Sequence, residues 1–250
     1  MNATTSINVA VLGASGYSGE ELLRLLLTHP QANVSAVTSR QYAATDIGEV
    51  FPRFADTGLT FVEPAAATAR AADFDVAFLA LPHGLAADYA APLLEAGVTV
   101  IDMSADFRLR DPAQFKRYYG SDHPAPELLP QAVYGLPERY RDQLRQARLI
   151  ANPGCYVTSI LLAAAPLLAA GMAAADGIAC ASMSGVSGAG RKEALPFLFA
   201  ECNESVCPYK VVGHRHTPEI EQELAAAAGI DALHVLFTPH LVPVTRGIHS

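Results

Sequence analysis

Short apolar runs alternate with stretches of helical character along the first part of the chain, and their spacing predicts a strand–helix repeat. Residues 7–12 read as a strand, 13–19 as a turn, and 20–29 as a helix stopped by Pro30. Residues 34–38 give a second strand. Residues 75–81 form a buried strand ended by Pro82-His83-Gly84; a helix over 85–96 closes at Gly97, and 98–102 is the next strand. Residues 104–147 hold more charge, Pro and Tyr and read as an irregular connection. Beyond the strand-like 148–151, the turn Asn152-Pro153-Gly154 opens a helix over the apolar run 157–170. Then follow a strand at 178–184, a Gly/Ser loop at 185–190, a polar and partly helical stretch, and a helix at 218–228. Two strands, 233–238 and 241–245, flank Pro239-His240. Alternating strands and helices imply an α/β fold with a doubly wound parallel sheet. The change of character near residue 152 divides it into domains at 1–151 and 152–250.

The stretch 156–175 carries no charge and matches a bilayer in length. Its Ala content, Pro166, Gly171 and lack of Trp or basic flanks predict a buried helix instead. A hydrophobic content of 51% with 17% charged residues indicates a well-packed globular chain. The net charge of −8 argues against a nucleic-acid surface and requires local cations for any anionic ligand. Four cysteines, and a start lacking the basic and apolar parts of a leader, predict a cytoplasmic protein.

Three segments carry candidate chemistry. Gly13-x-x-Gly16-x-x-Gly19 lies at a strand-to-helix turn, where backbone can approach a pyrophosphate over a helix start. The strand 34–38 ends in Thr38-Ser39-Arg40 rather than in a carboxylate, so a 2′-phosphate meets no repulsion there and NADP(H) is favoured over NAD. Cys155, just past a Pro-Gly turn, sits where unpaired N–H groups and the helix dipole stabilise a thiolate. Cys180, Cys202 and Cys207 read as structural. Gly213-His214-Arg215-His216-Thr217-Pro218-Glu219 offers two imidazoles before a helix, one of which can serve a thiol as base. Which one stays open, and no metal is implied. Arg108, after the strand ending at Asp102, and the loop 184–192 with Arg191 and Lys192 supply cations.

Taken in order, these segments resemble the N-acetyl-gamma-glutamyl-phosphate reductases of arginine biosynthesis, relatives of the aspartate-semialdehyde dehydrogenases. The resemblance rests on Gly13-Ala-Ser-Gly-Tyr-Ser-Gly19, Leu81-Pro-His-Gly84, Asp102-Met-Ser-Ala-Asp-Phe-Arg108, Tyr134-Gly-Leu-Pro-Glu138, Asn152-Pro-Gly-Cys-Tyr156, the loop from Ser184 to Arg191, and the two-histidine motif. It implies a Rossmann domain followed by an α+β domain for substrate and oligomerisation. It further implies NADPH-dependent reduction of an acyl phosphate through a thioester on Cys155, with His214 or His216 as acid/base. Arg108, Asn152 and Arg191 are then expected at the substrate. Gly13, Ser15, Gly16, Tyr17, Ser18, Gly19, Ser39, Arg40, Ser187 and Gly188 are expected at the cofactor. A homo-oligomer without nucleic-acid or membrane partners is implied.

Family members continue past Ile248, so the second domain is expected to be incomplete at its C-terminus and to leave strand edge and apolar surface open. Two other readings follow: a truncated, inactive form that binds NADP(H), or a related acyl-phosphate reductase of the aspartate-semialdehyde type.

Overall fold

The computed structural model describes residues 6–191 and 193–250. In chain order the elements are β1 (Ile7–Leu12), α1 (Tyr17–Leu26), β2 (Ala32–Thr38), α2 (Ile47–Val50), β3 (Phe61–Val62), α3 (Pro64–Thr68), β4 (Val76–Leu79), α4 (Ala86–Glu95) and β5 (Thr99–Asp102). Then come α5 (Pro112–Tyr119), β6 (Ala132–Tyr134), α6 (Pro137–Leu144), β7 (Leu149–Ala151), α7 (Cys155–Ala169), β8 (Ile178–Ser184), α8 (Phe199–Cys202), β9 (Cys207–Pro208), α9 (Thr217–Ala228), β10 (Val235–Leu241) and β11 (Ile248–His249). They form two compact units: residues up to Arg110 with His123–Asn152, and Asp111–Asp122 with Pro153–Ser250. The segment carrying α5 thus groups with the second unit, and Asn152 with the first.

In the first unit every strand pairing is parallel, in the order β3-β2-β1-β4-β5-β7-β6. The winding reverses between β1 and β4, the switch point beside which such sheets bind ligands. Alternation along β1 serves both faces. Val9 and Val11 join Leu23 of α1, Phe51 and Phe61 in one core, while Ala10 and Leu12 join Leu79, Leu93 and Val100 in the other.

The expected irregular stretch 104–147 contains α5, β6 and α6. Asp111 caps α5 by accepting from the Ala113 N–H at 2.8 Å, Pro112 opens it, and Gly120 at φ +83° ends it. These signals are legible once the helix is sought. α6 buries no residue, so no apolar stripe betrays it.

In the second unit the sheet order is β11-β8-β10-β9, with β8 and β10 parallel and the outer pairings antiparallel. α7 and α9 pack against each other, and α7 also meets β11 and α9 meets β10. Two expectations are corrected here. Residues 235–241 form one strand running through Pro239-His240, and 242–247 turn back to hold the loop 185–187 by backbone hydrogen bonds. Proline lacks only the N–H; the Pro239 carbonyl still accepts from Tyr209 N at 3.0 Å. The uncharged stretch is not wholly buried either: α7 buries Val157, Ile160, Leu161, Ala165 and Leu168 but leaves Leu162 and Leu167 exposed. Among the described residues no helix is long and apolar enough to cross a membrane.

Candidate active site

The turn after β1 is shaped by two glycines. Gly13 adopts φ +84°, and a Cβ there would stand 2.3 Å from the Ala80 carbonyl oxygen. A Cβ on Gly19 would meet Ala14 Cα and the Gly13 oxygen at 2.6 Å. Helix α1 starts at Tyr17, earlier than the sequence suggests, so Tyr17, Ser18 and Gly19 form its first turn with Gly16 as N-cap. Their N–H groups have no partner within the helix, which suits an anion. Ser15 and Ser39 share a hydrogen bond at 2.9 Å, and the Ser39 hydroxyl accepts from Tyr42 N. Arg40 is exposed at the end of β2, where its Nη2 donates to the Tyr89 hydroxyl at 3.1 Å. A cradle that any side chain would fill, a helix start and a cation beyond β2 fit a phosphorylated dinucleotide.

Past β5 a buried polar knot forms. Asp102 accepts from both the N–H and the hydroxyl of Ser104. Asp106 accepts from the N–H groups of Gly84, Ala86 and Ala87, and so caps α4 from a distant part of the chain. The Arg108 guanidinium is almost fully buried: Nε donates to the Asn152 carbonyl and Nη2 to the Met103 carbonyl, each at 2.8 Å. Those donors hold the chain just before Pro153-Gly154-Cys155.

In the second unit Cys155 is the exposed first residue of α7, with Gly154 as N-cap. The backbone passes so close to the two-histidine motif that a Cβ on Gly154 would lie 2.7 Å from His216 Nε2 and 3.0 Å from Glu219 Oε2. Glu219, 1% exposed, accepts the Gly154 N–H through Oε1 at 2.9 Å. The two histidines differ. His214 is caged by the rings of Tyr156, Tyr209 and Phe237, with centroids between 5.1 and 5.9 Å away, and its Nδ1 accepts from the His216 N–H. Burial, with His216, Lys210 and Arg215 nearby, lowers its pKa to about 3. His216 occupies the N-cap position of α9, with no side-chain hydrogen bond to the helix start, and faces the start of α7.

Ser187 and Gly188 lie in a short 3₁₀ turn after β8; Ser187 N donates to the Thr245 carbonyl. Arg191 follows on the surface, and Lys192 falls outside the described residues. Sequence reasoning missed Glu219 and Tyr209 as site residues. The signal for Glu219 was its place in the first turn of α9. For Tyr209, whose hydroxyl pairs with that of Tyr156 at 2.9 Å, there was none.

A parallel nucleotide-type sheet joined to a thiol–imidazole unit on mixed sheet and helices matches known sequences along nearly its whole length. Residues 8–147 match the NAD-binding domain of semialdehyde dehydrogenases, and residues 155–250 match their dimerisation domain. The chain belongs to the semialdehyde dehydrogenase family. It shares its fold with aspartate semialdehyde dehydrogenase II from Vibrio cholerae (TM-score 0.67, 20% identity, 98% of this chain and 72% of that one). The NADP-bound aspartate semialdehyde dehydrogenase from Candida albicans is similar too (TM-score 0.66, 17% identity, 98% and 70% covered). Sequence likeness is far higher to N-acetyl-gamma-glutamyl-phosphate reductases: 53% identity with that of Akkermansia muciniphila and 51% with that of Pseudomonas entomophila, each over 98% of this chain and 71% of the relative. Within the family the chain stands in the N-acetyl-gamma-glutamyl-phosphate reductase branch.

Proposed function

We propose that this chain is an NADPH-dependent reductase that converts N-acetyl-gamma-glutamyl phosphate to N-acetylglutamate 5-semialdehyde and phosphate. The observation that carries the reading is an exposed Cys155 on the first turn of α7, with His216 packed against the preceding glycine. The names and identity of the relatives supply the substrate.

The Cys155 thiolate attacks the acyl carbon, and the phosphate leaves with the electron pair of its C–O bond, giving a thioester. The N–H groups of the first turn of α7 face the developing oxyanion. Gly13, Ser15, Gly16, Tyr17, Ser18, Gly19, Ser39 and Arg40 would hold NADPH, which when bound would supply the hydride that reduces the thioester. His216 donates a proton to the resulting alkoxide and takes it back as the C–S bond breaks, which frees the aldehyde and returns the thiolate. His214, held neutral by its cage, orients His216 through the 3.0 Å bond to the His216 N–H. Arg108 fixes the Asn152 carbonyl, and Arg191 meets the carboxylate end of the substrate. The second unit pairs with another copy of the chain, in keeping with its dimerisation-domain match. Four free thiols and a net charge of −8 suit a cytoplasmic enzyme that binds neither nucleic acid nor membrane.

The reverse reaction tests this: phosphate-dependent reduction of NADP⁺ by N-acetylglutamate semialdehyde. Signal that requires phosphate and vanishes in Cys155→Ser is the expected result. A preference for aspartate semialdehyde would move the substrate to the neighbouring branch. NADP⁺ binding by folded protein without turnover would make the chain a nucleotide-binding form only.

A further inference from the structure

Glu219 is a buried carboxylate whose chemistry the reaction above leaves unused. It is the third residue of α9, and its Oε1 accepts from Gly154, the N-cap of α7, at 2.9 Å. One side chain therefore spans the starts of the two helices that carry Cys155 and His216, where a negative charge is favoured by both helix dipoles. Glu219 Oε2 and His216 Nε2 both converge on the Gly154 Cα, as the close approaches to its missing Cβ show. Absence of a side chain at Gly154 is what admits imidazole and carboxylate together.

We infer that Glu219 is a positioning residue, which sets His216 against Cys155 and favours the imidazolium form beside the thiolate. The inference rests on the assignment of Cys155 as nucleophile and His216 as its partner. Its neighbour Glu223, one turn further along α9 and equally buried, accepts a hydrogen bond from Gln222 Nε2 at 2.9 Å.

Other groups around the thiol and imidazole are Tyr156 on α7, Tyr209 after β9, and Lys210, His214 and Arg215 ahead of α9. Burial raises both tyrosines above their ordinary range and drives His214 far below its own. These groups are common to wild type and variant, so a change of pH profile in a Glu219 variant reports on Cys155 and His216.

The test is the rate of Cys155 alkylation by iodoacetamide against pH, read at that residue by peptide mass spectrometry. It needs no substrate or cofactor, so it can fail while the reductase assay succeeds, and the reverse. Glu219→Gln keeps the size and an acceptor for the Gly154 N–H but removes the charge. The expected result is roughly a tenfold fall in rate near pH 6 relative to wild type, with rates within about twofold at pH 9.5, where the thiol ionises without help. Glu223→Gln should follow the wild-type profile. Glu219→Asp, which retains the charge one methylene further back, should fall between the two, and it carries the test if the Gln variant does not fold. An unchanged profile in folded Glu219→Gln, or an equal loss at every pH, would overturn the inference and leave Glu219 a structural cap.

Discussion

Asp102 ends β5 with no exposed surface, and its carboxyl accepts two hydrogen bonds from Ser104. Burial raises its pKa to about 7, against the partial relief of those bonds and of Arg108. The folded state thus keeps a proton that the unfolded chain gives up near pH 4, and this contribution to stability is lost as pH rises through about 7. Asp102→Asn should therefore gain on wild type between pH 4 and 7 and level off above. An advantage of order 1–3 kcal/mol at pH 8, and little at pH 4, is expected from thermal melts at the two values. His214 acts in the opposite direction. Its lowered pKa leaves it neutral when folded, so the stability it lends is present above pH 6.5 and lost as pH falls toward about 3. At this scale the sequence was informative wherever backbone geometry restricts the residue type. Gly13 and Gly19 were legible because only glycine fits, and Cys155 because a Pro-Gly turn preceded it. The choice between His214 and His216 was not, since Tyr156 of α7, Tyr209 after β9 and Phe237 of β10 are brought together around His214 by the fold, Tyr156 meeting His216 as well.

Among the elements, the junction of α7 and α9 is the one on which the chemistry depends. Gly154→Ala would push a methyl to within 3.0 Å of His216 and Glu219, so ring, carboxylate or helix start must move. A loss of about 10²-fold in kcat is expected, since an error of about 1 Å in a catalytic group is felt on that scale. NADP⁺ affinity should stay within about twofold, because the glycine turn and Arg40 belong to the other unit. Calorimetric binding alongside turnover would check both. Elements with a clear apolar period fared best: β1 was predicted at its observed bounds, α4 to within one residue at each end, and β4 to within two. β3 with two residues and β6 with three are too short to show a period, and they exist because a neighbouring strand offers them a ladder. β10 passes through Pro239 for a similar reason: β8 on one side and β9 on the other hold it extended.

On the scale of the molecule, the second unit presents an open sheet face. Met183 on β8 and Leu236 on β10 are 40% and 62% exposed, in a unit that matches a dimerisation domain. An apolar sheet face of this kind marks an interaction surface. Leu236→Asp should convert a dimer or larger assembly into monomers in sedimentation velocity while leaving Cys155 reactive to iodoacetamide. What the chain determines locally could be read without coordinates: strand–helix alternation, the glycine turn, the placement of the thiol, and the absence of a carboxylate after β2. Each follows from steric limits or side-chain chemistry within a few residues. The tertiary structure alone decided which histidine is buried and neutral, which carboxylate joins the two helix starts, and that Arg108 holds backbone carbonyls. It also decided that α5 folds with the second unit. Those outcomes depend on groups far apart in sequence sharing one desolvated space, where burial and mutual distance set charge and orientation.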